Sequence, residues 1–137
     1  MVVTMEGRLL LVDDDPGVLE LLNEYFVAQG YKVEAASNGE AALSAVRATR
    51  PDLVLLDIRM PGLDGVEVLR RLRRQDPTLP VVMVTANEEV TLARETLSLG
   101  ALDYVAEPFD FMHLEQVVVA GLLHGAPSRG DGGAPAG

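Results

Sequence analysis

The chain has 137 residues, which suits one domain burying roughly 68–70% of the surface its unfolded form exposes. Apolar residues make up 48% and charged residues 23%, ordinary globular usage that sets aside disordered, fibrous and collagenous classes. With 21 acidic against 11 basic residues the net charge is −10, which argues against direct nucleic-acid binding by this chain, and the absence of cysteine excludes a disulfide scaffold, thiol catalysis or a zinc–cysteine cluster.

Residues 1–6 read as an N-terminal extension. Leu9-Leu10-Leu11-Val12 is a short apolar run stopped by Asp13-Asp14-Asp15-Pro16, the pattern of a buried strand followed by a helix start. Asp15 is the expected cap and Pro16 the first helical residue. Val18, Leu21, Leu22, Tyr25 and Phe26 then recur at three- and four-residue spacing until Gly30 stops the helix. Tyr31 to Ala36 reads as a second strand containing Lys32, the only lysine, and Asn38 caps a helix with Ala41, Ala42, Ala45 and Val46 inward. Leu53 to Leu56 is a third strand ending at Asp57. A turn with Pro61-Gly62 follows, then a helix capped by Asp64 and faced by Val66, Leu69 and Leu72. Val81 to Val84 is a fourth strand ending at Thr85, followed by a helix from about Glu88 to Leu99. Tyr104 to Ala106 is a fifth strand, and the last helix, after Glu107-Pro108, carries Leu114, Val117, Val118 and Leu122.

Five strand–helix units predict a parallel sheet with right-handed crossovers and helices on both faces, a flavodoxin-like doubly wound (βα)5 fold with strand order 2-1-3-4-5. The domain is expected to span 7–124. Gly125 to Gly137 holds five of the 13 glycines without any apolar period and reads as a flexible tail or linker. The longest apolar stretch, Val117 to Leu123 with Gly121 counted in, is too short to cross a bilayer, and no secretory pattern precedes the first strand. The expectation is a soluble cytoplasmic protein without membrane partners.

In such a sheet ligands bind beyond the carboxyl ends of the strands, between the first and third. Asp13 and Asp14 follow strand one, Asp57 strand three, Thr85 strand four and Glu107 strand five, so acids distant in sequence converge there. Carboxylates that close repel one another unless a hard, oxygen-preferring divalent cation such as Mg2+ sits among them. Metal with carboxylate suggests phosphoryl chemistry, with an Asp as nucleophile. Bland readings stand beside these. Capping alone explains Asp15 and Asp64, Thr85 and Tyr104 are ordinary strand residues out of context, His113 and His124 are isolated, and Arg70, Arg71, Arg73 and Arg74 read as a solvated helix face.

The runs LLLVDDD, LVLLDIRMPGLDG, VVMVTA and YVAEPFD together resemble the CheY-like receiver domains of bacterial two-component response regulators. The resemblance implies that Asp57 is the phosphoacceptor, taking a phosphoryl group from a sensor histidine kinase or phosphotransfer protein. It implies that Asp13, Asp14, Asp57 and the backbone carbonyl of Arg59 hold Mg2+, Asp13 through water. Thr85 matches the hydroxyl that bonds the phosphoryl group and Tyr104 the aromatic switch residue. By the same resemblance the side chains of Arg59, Ala86, Asn87 and Glu107 would border the site. The output surface would be the fourth helix, fifth strand and fifth helix, acting on a downstream effector domain or protein, with dimerisation an open alternative.

Glu107 departs from this pattern, because the family carries a lysine there. Asp13, Asp14, Asp57 and Glu107 against one Mg2+ leave a formal charge of −2 where the family's set is neutral. Three outcomes are open: Arg59 folds over the site and replaces the ammonium; Glu107 becomes a metal ligand or stays protonated; or the domain is a pseudo-receiver, an interaction module with little phosphorylation. A haloacid-dehalogenase-like phosphatase needs Thr or Val where Gly17 stands and a lysine this chain lacks. A flavodoxin needs a phosphate loop after strand one, and neither GxGxxG nor GxxxxGK[ST] occurs.

Overall fold

The computed structural model describes residues 7–108 and 110–124, the side chains of Asn87 and His124 excepted. The extension 1–6, Phe109 and the tail Gly125–Gly137 lie outside the described residues. Five strands, β1 (Arg8–Val12), β2 (Lys32–Ala36), β3 (Leu53–Asp57), β4 (Val81–Thr85) and β5 (Asp103–Ala106), alternate with helices α1 (Pro16–Ala28), α2 (Gly39–Ala48), α3 (Gly65–Gln75), α4 (Val90–Ser98) and α5 (Phe111–His124). All neighbouring strands pair in parallel and the sheet order is β2-β1-β3-β4-β5, the expected flavodoxin-like topology.

Both faces of the central strands are covered, which is why β1, β3 and β4 read as unbroken apolar runs rather than alternating ones. Leu10, Val12, Val54, Leu56, Val81 and Met83 point into one core with Leu43 and Val46 of α2, Val68, Leu69 and Leu72 of α3, and Ala93 of α4. Leu9, Leu11, Leu53, Leu55, Val82, Val84 and Val105 point into the other, with Leu22 and Phe26 of α1 and Leu114 and Val118 of α5. Each fully buried leucine or valine contributes about 1.5–3 kcal/mol. On the second face Tyr25 ties α1 to α5, its hydroxyl donating to Glu115 Oε1 at 2.5 Å and its ring stacking on Phe111 at 4.7 Å.

The caps stand where expected. Asp15, Asn38 and Asp64 accept from the backbone N–H of Gly17, Ala41 and Glu67, and Pro16 opens α1. Several details differ from expectation. Alanine-rich α2 turns its largest apolar side chain inward: Gly39, Ala42, Leu43 and Val46 are buried along one stripe and Ala45 is half-buried, while Ala41 is exposed. Leu21, placed inward by spacing, is 58% exposed. In α3 Val68 is fully buried beside Leu69 and Leu72, and Val66 is half-buried against the same core. The helix expected from Glu88 begins with a 3₁₀ turn at Asn87–Glu89, and neither Ala86 nor Glu89 caps with its side chain. Tyr31 precedes β2 and is buried, whereas Lys32 is exposed. Arg73 does not belong to a solvated face: it is half-buried against Gly100 and donates to the carbonyls of Pro77 and Leu79, while Arg70 and Arg71 pair with Glu67. Among the described residues no helix is long and apolar enough to cross a membrane.

Candidate functional site

The chain leaves β1 toward β2 on one side and β3 toward β4 on the other, so a crevice opens beyond the carboxyl ends of β1 and β3. Asp13 is the first residue past β1. Its N–H donates to Ala36 O at 3.2 Å, and its Oδ1 accepts from Asp15 N at 2.9 Å, a turn that drives the side chain inward to 6% exposure. Asp14 is exposed at the mouth. Asp57 closes β3, half-buried, in register with Val84, and accepts from the Arg59 N–H at 3.4 Å.

The geometry of the next turn depends on Gly65. Its N–H donates to Ile58 O at 2.8 Å, and a Cβ there would lie 2.1 Å from the Asp57 carbonyl oxygen, so only glycine lets α3 start this close to the end of β3. The signal that could have found it is a glycine, a poor helix former, at the first helical position after the Asp64 cap. Gly62, at φ 78°, makes the preceding turn.

Asp13, Asp14 and Asp57 each present a carboxylate oxygen, and these atoms all lie within 4.8 Å of one another. Burial pushes the Asp57 carboxyl up to about 7, with the Asp13 charge adding, the Arg59 N–H opposing, and Asp14 and Glu107 adding further. Burial likewise lifts Asp13 to about 6 against the opposing Asp15 N–H, with Asp14, Glu107 and Asp15 contributing repulsion. Partly desolvated carboxylates with no basic side chain paired to them among the described residues are a donor set that fits a hard divalent cation.

The other expected residues divide. Thr85 ends β4 at 1% exposure, and its hydroxyl donates to Ala86 O at 3.1 Å. Ala86 is half-buried and starts the 3₁₀ turn; the Asn87 side chain lies outside the described residues. Tyr104 is half-buried and packs against the core on the α2–α4 face. Glu107 reaches the site through its backbone, its N–H donating to Thr85 O at 2.7 Å. Its carboxyl is raised, first by burial and then by Asp15 and Glu88, but it is not in the three-carboxylate cluster. Arg59 does not cover the site. Its guanidinium pairs with Glu89 Oε1 at 3.1 Å, a partner thirty residues away that no local sequence signal marks.

Residues 9–119 match the family described as the response regulator receiver domain. The chain is 43% identical over 114 residues to sporulation initiation phosphotransferase F of Bacillus subtilis, covering 83% of this chain and 92% of that protein. It is 41% identical to regulatory protein AtoC of Escherichia coli over 85% of this chain and 25% of the relative, and 44% identical to DNA-binding response regulator MtrA of Mycolicibacterium smegmatis over 77% and 46%. The chain thus spans nearly all of the first relative and half or less of the other two. Among solved structures, the receiver domain of NtrX from Brucella abortus superposes with a TM-score of 0.82 at 31% identity, covering 85% of this chain and 98% of that one. A putative response regulator from Chloroflexus aurantiacus gives 0.82 at 35%, covering 87% and 99%. A sheet of this order, carboxylates gathered at its switch point and matches over most of the chain agree, and the chain belongs to the response regulator receiver domain family of two-component systems.

Proposed function

We propose that this domain accepts a phosphoryl group on Asp57 from the phosphohistidine of a sensor histidine kinase or phosphotransfer protein. The observation that carries the reading is the place of Asp57 at the end of β3, half-buried, with its carboxylate gathered against those of Asp13 and Asp14. An Asp57 carboxylate oxygen forms a bond to phosphorus as the P–N bond of the phosphohistidine breaks, and the bonding pair stays on the imidazole nitrogen, which takes up a proton. Asp13, Asp14, Asp57 and the Arg59 carbonyl would hold Mg2+, which when bound supplies the positive charge that lets a carboxylate and phosphoryl oxygens approach. The Arg59 N–H orients the Asp57 carboxylate. The Thr85 hydroxyl, now on Ala86 O, would turn to the phosphoryl group, with Tyr104 following toward the space it leaves. The α4–β5–α5 surface then shifts toward a form that engages a downstream effector, with a tail or linker at 125–137 and a cytoplasmic setting as parts of the same reading.

Glu107 supports a second reading, an interaction module with little phosphorylation, because its carboxyl adds to the repulsion on Asp57 where the family has an ammonium. A small phosphodonor with and without Mg2+, read by intact mass, decides between them. Mg2+-dependent label that disappears in Asp57→Asn is expected. Absence of label at any donor concentration overturns the first reading in favour of the second.

A further inference from the structure

Asp13, Asp14, Asp57 and Glu107 against one divalent cation leave a formal excess of two negative charges, before any phosphoryl group arrives. Most cations of the described residues are placed elsewhere. Arg8 and Lys32 begin β1 and β2, at the opposite end of the sheet. Arg47, Arg50, Arg70, Arg71 and Arg73 are bonded to Gln75, Asp76, Glu67 and backbone carbonyls near the helix ends. Arg59 leaves the sheet at the site, two residues after Asp57, with its own N–H on the Asp57 carboxylate.

The Arg59 guanidinium is turned to Glu89, its side chain 66% exposed and so not fixed by packing. Glu89 ends the 3₁₀ turn that joins β4 to α4. Its N–H donates at 2.9 Å to Ala86 O, the same oxygen that receives the Thr85 hydroxyl. Both ends of this ion pair are therefore tied to the phosphoryl site, one through Asp57 and one through Thr85 and Ala86. No side-chain cap holds the start of α4, so the pair is a polar tether on a first turn otherwise held by the burial of Leu92 and Ala93.

We propose that Arg59 alternates between two anions, Glu89 before phosphorylation and the phosphoryl group on Asp57 after it, so that Glu89 competes for the site's cation and the first turn of α4 is released when Arg59 leaves. This rests on the reading of Asp57 as phosphoacceptor. The competition runs toward phosphate, because an exposed ion pair holds weakly whereas a phosphoryl group offers several charged acceptors to the guanidinium fork. Release of α4 then follows from a local charge event on a bistable contact.

The test is a double-mutant cycle on the rate of labelling by acetyl phosphate with Mg2+, together with hydrogen exchange at amides 88–93. Glu89→Gln is expected to raise the rate about three- to fivefold, the change that freeing one exposed ion pair allows. Arg59→Ala is expected to lower the rate, Arg59→Lys to retain part of it, and the double variant to match Arg59→Ala. Without phosphodonor or metal, both single variants should exchange faster at 88–93, and phosphorylated wild type should resemble them. An equal gain from Glu89→Gln in the Arg59→Ala background, or unchanged exchange on phosphorylation, overturns the proposal and leaves Asp57 as acceptor. Wild type that takes no label overturns the acceptor reading and this inference with it.

Discussion

Replacing Asp57 by Asn keeps the shape of the side chain and removes its charge, and without divalent cations this should stabilise the domain at pH 8. The Asp57 carboxyl is raised from its ordinary 3.8 to about 7, burial being the largest cause and the Asp13 charge the next. A carboxyl that holds its proton more tightly when folded costs stability as pH rises from about 4 to about 7, and the full cost is present above 7. At 1.36 kcal/mol per pH unit that span caps the cost at about 4 kcal/mol. Solvent screening of a half-buried carboxylate at the rim of the sheet reduces it to about 1–2 kcal/mol. For a domain of this size that is a rise in Tm of about 3–8 °C. The measurement is thermal unfolding by far-UV circular dichroism in EDTA, at pH 8 and at pH 5. At pH 5 the folded carboxyl is protonated while the unfolded one, with its ordinary value of 3.8, is ionised, so the gain should shrink to roughly a third of its size at pH 8. A gain of equal size at both pH values, or a loss at pH 8, refutes the assignment of strain to this charge.

Saturating Mg2+ should stabilise wild type by about 2.7 kcal/mol at a hundredfold excess over Kd, and calorimetry should show the affinity weakening from pH 8 to pH 5 as Asp57 and then Asp13, raised to about 7 and about 6, take up protons. Asp14→Asn should lose most of this stabilisation. Gly65→Ala should cost about 2 kcal/mol or more in urea unfolding and slow labelling, since its Cβ would sit 2.1 Å from the Asp57 carbonyl oxygen. Gly62→Ala meets no atom within 4 Å and should cost only the left-handed strain of about 1–2 kcal/mol, with labelling unchanged. Glu107→Lys should speed labelling by acetyl phosphate; a slower rate would show that the charge at this position does not limit the reaction.

The central strands were legible because burial on both faces demands runs such as Leu53-Val54-Leu55-Leu56, each ended by a polar residue that marks the sheet's edge. The helix starts were legible because a cap acts within three residues, as Asp15, Asn38 and Asp64 show. The inward face of α2 was not, since a run rich in alanine gives several apolar stripes nearly equal burial and the sheet selects the one that hides Leu43. The first turn of the helix after Thr85 is not legible for a related reason: with no capping side-chain bond, nothing local distinguishes a 3₁₀ turn from an α-helical one.

By itself, then, the sequence determined the order of elements, their caps and the convergence of Asp13, Asp14, Asp57, Thr85 and Glu107 on one edge. All of these follow from short-range patterns and from the handedness of parallel crossovers. Only the tertiary structure decided which charges meet. It put Arg59 on Glu89 instead of over the carboxylates, folded Arg73 beneath Gly100, and left Glu107 outside the group that could share a cation. Long charged side chains choose among anions brought near by distant turns. That choice depends on loop positions a few ångströms apart, which no local pattern in the chain encodes.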